Sequence, residues 1–218
     1  NAAPCVNEGF EMGNITGWTP SRGNNTPPAS GSCLYPTTPL VMAYPSVSLQ
    51  VVTTPTIDPI IGAIANSPFT GNKVLRINDN FASGAADVVR VSQTFPVTSA
   101  NFLYEFAYQS VMATAHPCCQ QTYMRVSLRD FVGNLLACPL FTFAPPPPSG
   151  PICSSPGIAW TNTTSGGYNV AYNPAWQKYS IDLTSYINST VTIEVTVADC
   201  SPTGHWGYAY VDITCDPL

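Results

Sequence analysis

The sequence predicts an all-β fold, an antiparallel and disulfide-bonded β-sandwich of jelly-roll type. Three observations carry that prediction. Only 9% of residues are charged against 44% hydrophobic, and 22 prolines outnumber the 7 lysines and arginines together. Such a composition suits many short strands joined by turn-rich loops. About nine or ten segments have strand-like patterns bounded by Gly, Pro, Asn or Asp, and none of useful length repeats its apolar residues at helical spacing. Finally, the 8 cysteines form no Cys-x-x-Cys pair, which points to disulfides and an oxidising compartment rather than to zinc ligation.

Taken in order, residues Asn1–Thr19 contain Gly9-Phe-Glu11, Gly13 and Gly17-Trp18 and read as an edge strand running into a turn. A Pro/Thr-rich excursion follows at about 21–67, with apolar islands Val47–Val52 and Ile60–Ile64 that allow one or two short strands. Lys73–Ile77, Val88–Val97, Asn101–Tyr108 and Tyr123–Arg129 then read as strands. Asp130-Phe-Val-Gly133 is a hairpin turn into a strand at Leu135–Phe143. The Pro-rich run 144–151 cannot join a sheet interior, because proline lacks the N–H and fixes φ. It is short enough to be a stiff loop rather than a linker between domains. Trp176–Tyr186, Val191–Val197 and Tyr208–Ile213 complete the strands. The whole chain, 1–218, is expected to form a single sandwich domain.

The net charge of −5 offers no basic footprint for nucleic acid or an anionic membrane. No run approaches the roughly 20 apolar residues of a membrane-spanning helix. No signal peptide is visible at Asn1, so the chain is expected to be mature, exported and extracellular or at the cell surface. Catalysis is not expected. Asp199, His205 and a serine could be drawn as a triad, but the Gly-x-Ser-x-Gly elbow is missing. Only Glu8, Glu11, Glu105 and Glu194 are glutamates, and a glycosidase needs two carboxylates facing each other across its substrate.

The last strand sets Asp212 between apolar neighbours, where an acid needs a partner for its charge. If first and last strands are neighbours, Glu11 can meet Asp212 around a hard cation, and calcium is the ion that carboxylates and carbonyls suit. The alternative is that each acid caps a turn or faces water. The pattern Gly9-Phe-Glu11, Gly13, Gly17-Trp18 with a terminal Tyr210-Val-Asp212 resembles calcium-bearing jelly-roll modules of the carbohydrate-binding type. That resemblance implies a structural calcium held by Glu11 and Asp212, with backbone oxygens at Gly9 and near Lys73.

From Asn72 to Cys215 a second resemblance runs through Asn78-Asp-Asn80, Gln93-Thr-Phe-Pro-Val97, Val126-Ser-Leu-Arg-Asp130 and Ile181-Asp-Leu-Thr-Ser-Tyr-Ile187. It is clearest in Gly204-His-Trp-Gly-Tyr-Ala-Tyr-Val-Asp212. This set is similar to a domain of large secreted surface proteins of Bacteroidota, found beside PKD-type repeats and type IX sorting tails. The chain departs from it in Cys118-Cys119, in the Pro-rich loop and in the long segment before Asn72. The resemblance implies a surface location and a cluster of His116, Gln121 and His205. That cluster reads either as a metal or ligand site, or as a hydrogen-bonded clasp between two loops.

Trp160 and Trp206 lie in loop-like contexts and are the candidate sugar platforms, their alternative being to cover the open ends of the sandwich. A calcium shared by the chain ends would bring Cys5 to Cys215, the first expected disulfide. Cys138 could close the Pro-rich loop with Cys153 or pair with Cys200. Vicinal Cys118 and Cys119 are expected to take different partners, and Cys33 is left unassigned. The expected function is a non-catalytic surface protein, adhesive or structural, whose partner is either itself, as in a filament, or a surface glycan, as in a glycan-binding module.

Overall fold

The computed structural model describes residues 5–25, 40–82, 87–117, 120–147, 157–202 and 204–215, with the backbone alone at 40–41 and 137–140. The strands among them, in chain order, begin with β1 (Thr19–Asn24), β2 (Leu40–Val41), β3 (Leu49–Thr53), β4 (Thr56–Asp58) and β5 (Gly62–Ile64). Next come β6 (Lys73–Ile77), β7 (Asp87–Pro96), β8 (Leu103–Thr114), β9 (Tyr123–Arg129) and β10 (Leu135–Phe143). The last five are β11 (Thr161–Ser165), β12 (Tyr168–Tyr172), β13 (Gln177–Asp182), β14 (Thr190–Ala198) and β15 (Gly207–Thr214). Among the described residues no helix is long and apolar enough to cross a membrane.

Two antiparallel sheets form the sandwich. One has the order β10-β9-β14-β7-β1-β2, the other β11-β12-β8-β15-β6-β3, with β13 also paired to β8. Alternation explains which side chains face inward, because successive residues of a strand point to opposite faces. From the first sheet Val89, Val91, Met124, Val126, Leu128, Val191, Ile193, Val195 and Val197 enter the shared core. Leu75, Ile77, Tyr104, Phe106, Tyr108, Ala209, Val211 and Ile213 meet them from the second. The Tyr108 and Phe143 rings, 4.3 Å between centroids, lock the two layers near one end.

Two expectations about the N-terminal third are corrected. Cys5–Trp18 is not an edge strand but a run of turns and bends. Asn7 and Phe10 adopt φ of 53° and 60°, and the Asn7 amide donates to Asn14 O at 2.7 Å. Side-chain bonds of this kind give the backbone an alternative to a ladder. The first strand, β1, therefore begins only at Thr19, and it lies in the opposite sheet from β15, so first and last strands are not neighbours. The turn segment itself bridges the layers. The second correction concerns the stretch 21–67, which holds the end of β1 and all of β2, β3, β4 and β5 rather than one or two strands. β3 joins the second sheet through β6, while β4 and β5, among the described residues, pair only with each other.

That β4–β5 hairpin covers a second apolar layer on the outer face of the second sheet. The layer comprises Val74, Val111, Ala113, Val170, Trp206, Tyr208 and Tyr210, with Ile64 of β5 buried among them. Asp58, 2% exposed, clamps the hairpin down. One carboxylate oxygen accepts the Tyr208 and Tyr210 hydroxyls at 2.8 Å each. The other accepts the N–H groups of Ile60 and Ile61 at 2.8 and 3.0 Å. Four donors on one buried carboxylate offset its desolvation.

Candidate functional site

The expected acid pair is brought together at the chain ends. Asp212 sits on β15, 1% exposed, and its Oδ1 accepts the Ile213 N–H at 2.8 Å. Glu11 reaches across from the N-terminal turns, where its Oε1 accepts the N–H of Asn72 at 3.1 Å and of Lys73 at 2.7 Å. The approach is possible because Gly71 has no side chain: a Cβ there would fall 2.2 Å from Glu11 Cδ. Gly9 lies against both acids, its own would-be Cβ 3.5 Å from Asp212 Oδ1 and 3.8 Å from Glu11 Cγ. Lys73 contributes no cation here, since its ammonium donates to Thr53 Oγ1 at 2.6 Å. A cavity of about 240 Å3 opens beside the pair, lined by Glu8, Gly9, Glu11, Thr70 and Ile213 among others.

Burial, together with the charges of Glu11 and Glu8, pushes the Asp212 carboxyl up to about 7. Hydrogen bonds from Ser67 and the Ile213 N–H pull the other way. Two carboxylates, Glu8 and Glu11, line the cavity and a third, Asp212, is buried beside it; together they make an oxygen-rich, negative environment that fits a hard divalent ion. Glu8 is the member that the acid pairing at Glu11 and Asp212 leaves out, although its place three residues before Glu11 on a turn-rich stretch was a usable signal.

The Cys5–Cys215 disulfide joins the two ends beside this cluster, across 210 residues. Cys33, Cys118, Cys119 and Cys153 lie outside the described residues, as does the side chain of Cys138. Both pairings expected for Cys138 therefore lie outside them as well. Cys200 is buried at the opposite end of β15, its Sγ 3.5 Å from His205 Nδ1.

The two histidines do meet. His116 Nε2 and His205 Nδ1 are 2.9 Å apart, with their rings edge to face at 4.6 Å. Gln121 donates to His116 O at 2.7 Å, completing the expected trio. Burial pushes the His116 imidazole down from its ordinary value, which favours the neutral ring that a clasp or a ligand requires.

The tryptophans separate. Trp206 is only 3% exposed, stacked on Tyr208 and edge-on to Tyr168 in the layer beneath the hairpin. It is a structural ring, which corrects its reading as a ligand platform: Gly207 starts a strand immediately after it and draws it into the sheet's outer layer. Trp160 is half-buried and lines an open groove of about 720 Å3 with Thr114, Ala115, Pro146, Pro147, Asn162, Thr163 and Asn169. The groove runs along β11, an edge strand of the second sheet. Asn173 ties down the residue next to Trp160: buried, it donates to Ala159 O at 2.9 Å and accepts from Ser110 N and Oγ at 3.0 and 2.6 Å. The polar members on β11 and β12 were missed, though Gly166-Gly167 between two Thr/Asn/Tyr runs is a hairpin signal.

No protein-family model and no curated protein matches this chain. Solved structures similar to it include TmCBM61 in complex with β-1,4-galactotriose, 13% identical, covering 99% of this chain and 100% of that one, with a TM-score of 0.47. The enzymatically active domain of bacteriophage CBA120 tailspike protein 4 is 11% identical over 96% of this chain and 21% of that one, TM-score 0.42. Caldicellulosiruptor saccharolyticus CBM27-1 in complex with mannohexaose is 11% identical over 94% and 92%, TM-score 0.39. Values this low carry no inference about what the present chain binds.

Proposed function

We propose that this chain is a non-catalytic glycan-binding module acting outside the cell, with its site in the groove along β11. The observation that supports this reading is the lining of that groove, which joins one half-buried tryptophan to Thr114, Asn162, Thr163 and Asn169 and, among the described residues, includes no charged side chain. A sugar ring presents an apolar C–H face and a rim of hydroxyls. An indole face suits the first, and amide and hydroxyl groups suit the second. The volume, about 720 Å3, falls in the range of about 300–1,000 Å3 usual for small-molecule sites, and its open form suits an extended chain. The Cys5–Cys215 disulfide supports an oxidising, extracellular setting, in keeping with the surface-protein resemblance.

The test is affinity electrophoresis against a panel of neutral polysaccharides, followed by titration with the best oligosaccharide. The native chain is expected to be retarded, and Trp160→Ala to weaken binding at least about tenfold, a change of about 1.4 kcal/mol. No retardation on any polysaccharide, together with elution as a large polymer, would instead favour the adhesive or filament reading. Its candidate contacts among the described residues are the exposed Val47, Ile57, Phe81, Phe131 and Val132.

The same reading includes a structural calcium between Glu11 and Asp212, close to Glu8 and Gly9. The ion would neutralise a carboxylate cluster that burial and mutual repulsion make costly. It would also tie the N-terminal turns to β15 next to the disulfide, a role in stability rather than in binding sugar.

A further inference from the structure

We propose that His116, Cys200 and His205 form a three-ligand site for a borderline-soft divalent transition metal of the zinc class, at the end of the sandwich opposite the acidic cluster. The ligating atoms, one from each residue, all lie within 4.8 Å of one another. His205 Nδ1 is the shared point, 2.9 Å from His116 Nε2 and 3.5 Å from Cys200 Sγ. A clasp between two imidazoles accounts for the first contact only. It gives no reason for a thiol to converge on the same nitrogen, whereas one cation among the three atoms engages all of them.

The three spacings lie within a small adjustment of those such an ion sets. Bonds of about 2.0–2.1 Å to nitrogen and about 2.3 Å to sulfur at tetrahedral angles place two nitrogens about 3.3 Å apart and a nitrogen and sulfur about 3.5 Å apart. The Cys200–His205 spacing already matches, the two rings need to part by about 0.4 Å, and His116 and Cys200, within 4.8 Å of each other, need to draw in toward about 3.5 Å. Burial is graded in the right sense: Cys200 is 0% exposed, while both histidines are half-buried, leaving a side through which an ion and a water ligand can enter. Thiolate with imidazole selects zinc, cobalt or copper over calcium.

The two loops that carry the ligands are held in place by their backbones. Cys200 N donates to His205 O at 3.1 Å, closing the turn between β14 and β15, and Ser201 N donates to Gln120 O at 3.1 Å. Gln121 fixes the carbonyl of His116 itself. The Tyr168 ring stands edge-on to His205 at 5.5 Å and limits its rotation. A site whose supporting contacts are already made needs little reorganisation on binding.

Cobalt(II) is the probe. The full chain, natively purified without added reductant and stripped with chelator, is titrated with Co2+ while absorption is followed. The expected result is one equivalent per chain giving intense tetrahedral d–d bands in the visible and a thiolate-to-cobalt charge-transfer band in the near ultraviolet. Zinc should displace the colour and calcium should leave it unchanged. Cys200→Ser should abolish the charge-transfer band, and His116→Gln, which keeps a hydrogen-bonding side chain on a half-buried loop, should weaken binding by more than about 100-fold with an unchanged circular dichroism spectrum. Absence of the thiolate band overturns the proposal, as does peptide mapping that finds Cys200 in a disulfide. A band that persists in Cys200→Ser, from another thiol, overturns it equally. Sugar binding and the Trp160→Ala variant do not enter any of these readouts.

Discussion

The two sheets bury equivalent inner faces but build their outer faces differently. The first has ion pairs and a small apolar cluster of Val88, Tyr123, Ala144 and Ala198 at one end, the second a broad apolar layer. On the first sheet, Glu194 faces outward and pairs with Arg90 at 3.2 Å and Arg129 at 2.9 Å. Thr94 and Thr192 hydrogen-bond across the strands beside it at 2.7 Å. On the second, the outward positions are Val74, Val111, Ala113, Tyr208 and Tyr210, closed over by the β4–β5 hairpin. An antiparallel sheet can present one face to water, whereas a face that is apolar on both sides must be covered. The consequence for binding is direct. Trp206, Tyr208 and Tyr210 are thereby buried, so the proposed glycan site falls to the sheet's edge, where Trp160 stands.

The largest effect that would break this contrast comes from the sealed layer. Trp206→Ala is expected to cost about 3–5 kcal/mol, as truncation of a fully buried aromatic does, measured by urea denaturation. Trp160→Ala is expected to cost only about 1 kcal/mol of stability while removing the groove's stacking surface. If the two substitutions destabilise equally, the groove is part of the core. If Trp206→Ala is mild, the outer aromatic layer is not tightly packed.

A smaller effect tests the clamp itself. Asp58→Ala leaves the Tyr208 and Tyr210 hydroxyls and two backbone N–H groups without their acceptor, at a cost on the order of 3 kcal/mol. Asp58→Asn, with the same shape and one carbonyl acceptor, should recover about half of it. Hydrogen exchange should speed up specifically at β4 and β5, which pair with each other outside the two main sheets. Unchanged exchange there would show that Ile60, Ile61 and Ile64 hold the hairpin without Asp58.

The same contrast explains what the sequence made legible. β14 reads Thr-Val-Thr-Ile-Glu-Val-Thr-Val-Ala, an alternation of polar and apolar residues that marks a strand with one apolar face. Its bounds, and those of β6, β9 and β10, agree with the expectation to within a residue. β15 reads Gly-Tyr-Ala-Tyr-Val-Asp-Ile-Thr, an unbroken apolar run around one acid. Such a run says that both faces are buried, but not by what. The cover lies about 150 residues upstream in a Pro/Thr-rich stretch whose strands are three residues long, too short for periodicity to register. Trp206 was misread for a related reason: local context gave it a loop, and it is buried by contacts in the sheet's outer layer, against Tyr168 of β12 and Tyr208 of β15, that local sequence does not reveal. Glu11 and Asp212 were legible because an acid in an apolar strand needs a partner wherever the chain puts one. The edge-strand reading of Cys5–Trp18 failed because Asn7 and Phe10 turn left-handed, which no alternation of apolar residues reveals.

The smallest expected effect sharpens the role of the chain ends. Calcium at about 100 times its dissociation constant should add about 2.7 kcal/mol, a rise of roughly 5–10 °C in melting temperature for a chain of this size. Glu11→Gln should abolish that response. The substitution keeps an oxygen to accept the Asn72 and Lys73 N–H groups, so it removes charge with little loss of structure. Without calcium it should therefore be neutral or slightly stabilising, because Glu11 is one of the charges that push the Asp212 carboxyl up to about 7. With calcium it should be destabilising by the ion's whole contribution. This change of sign separates an ion-binding carboxylate from a turn cap, which would lose about the same stability under both conditions. A melting temperature indifferent to calcium and to chelator, in both proteins, would leave the acids as a repulsive cluster held shut by the Cys5–Cys215 bridge alone.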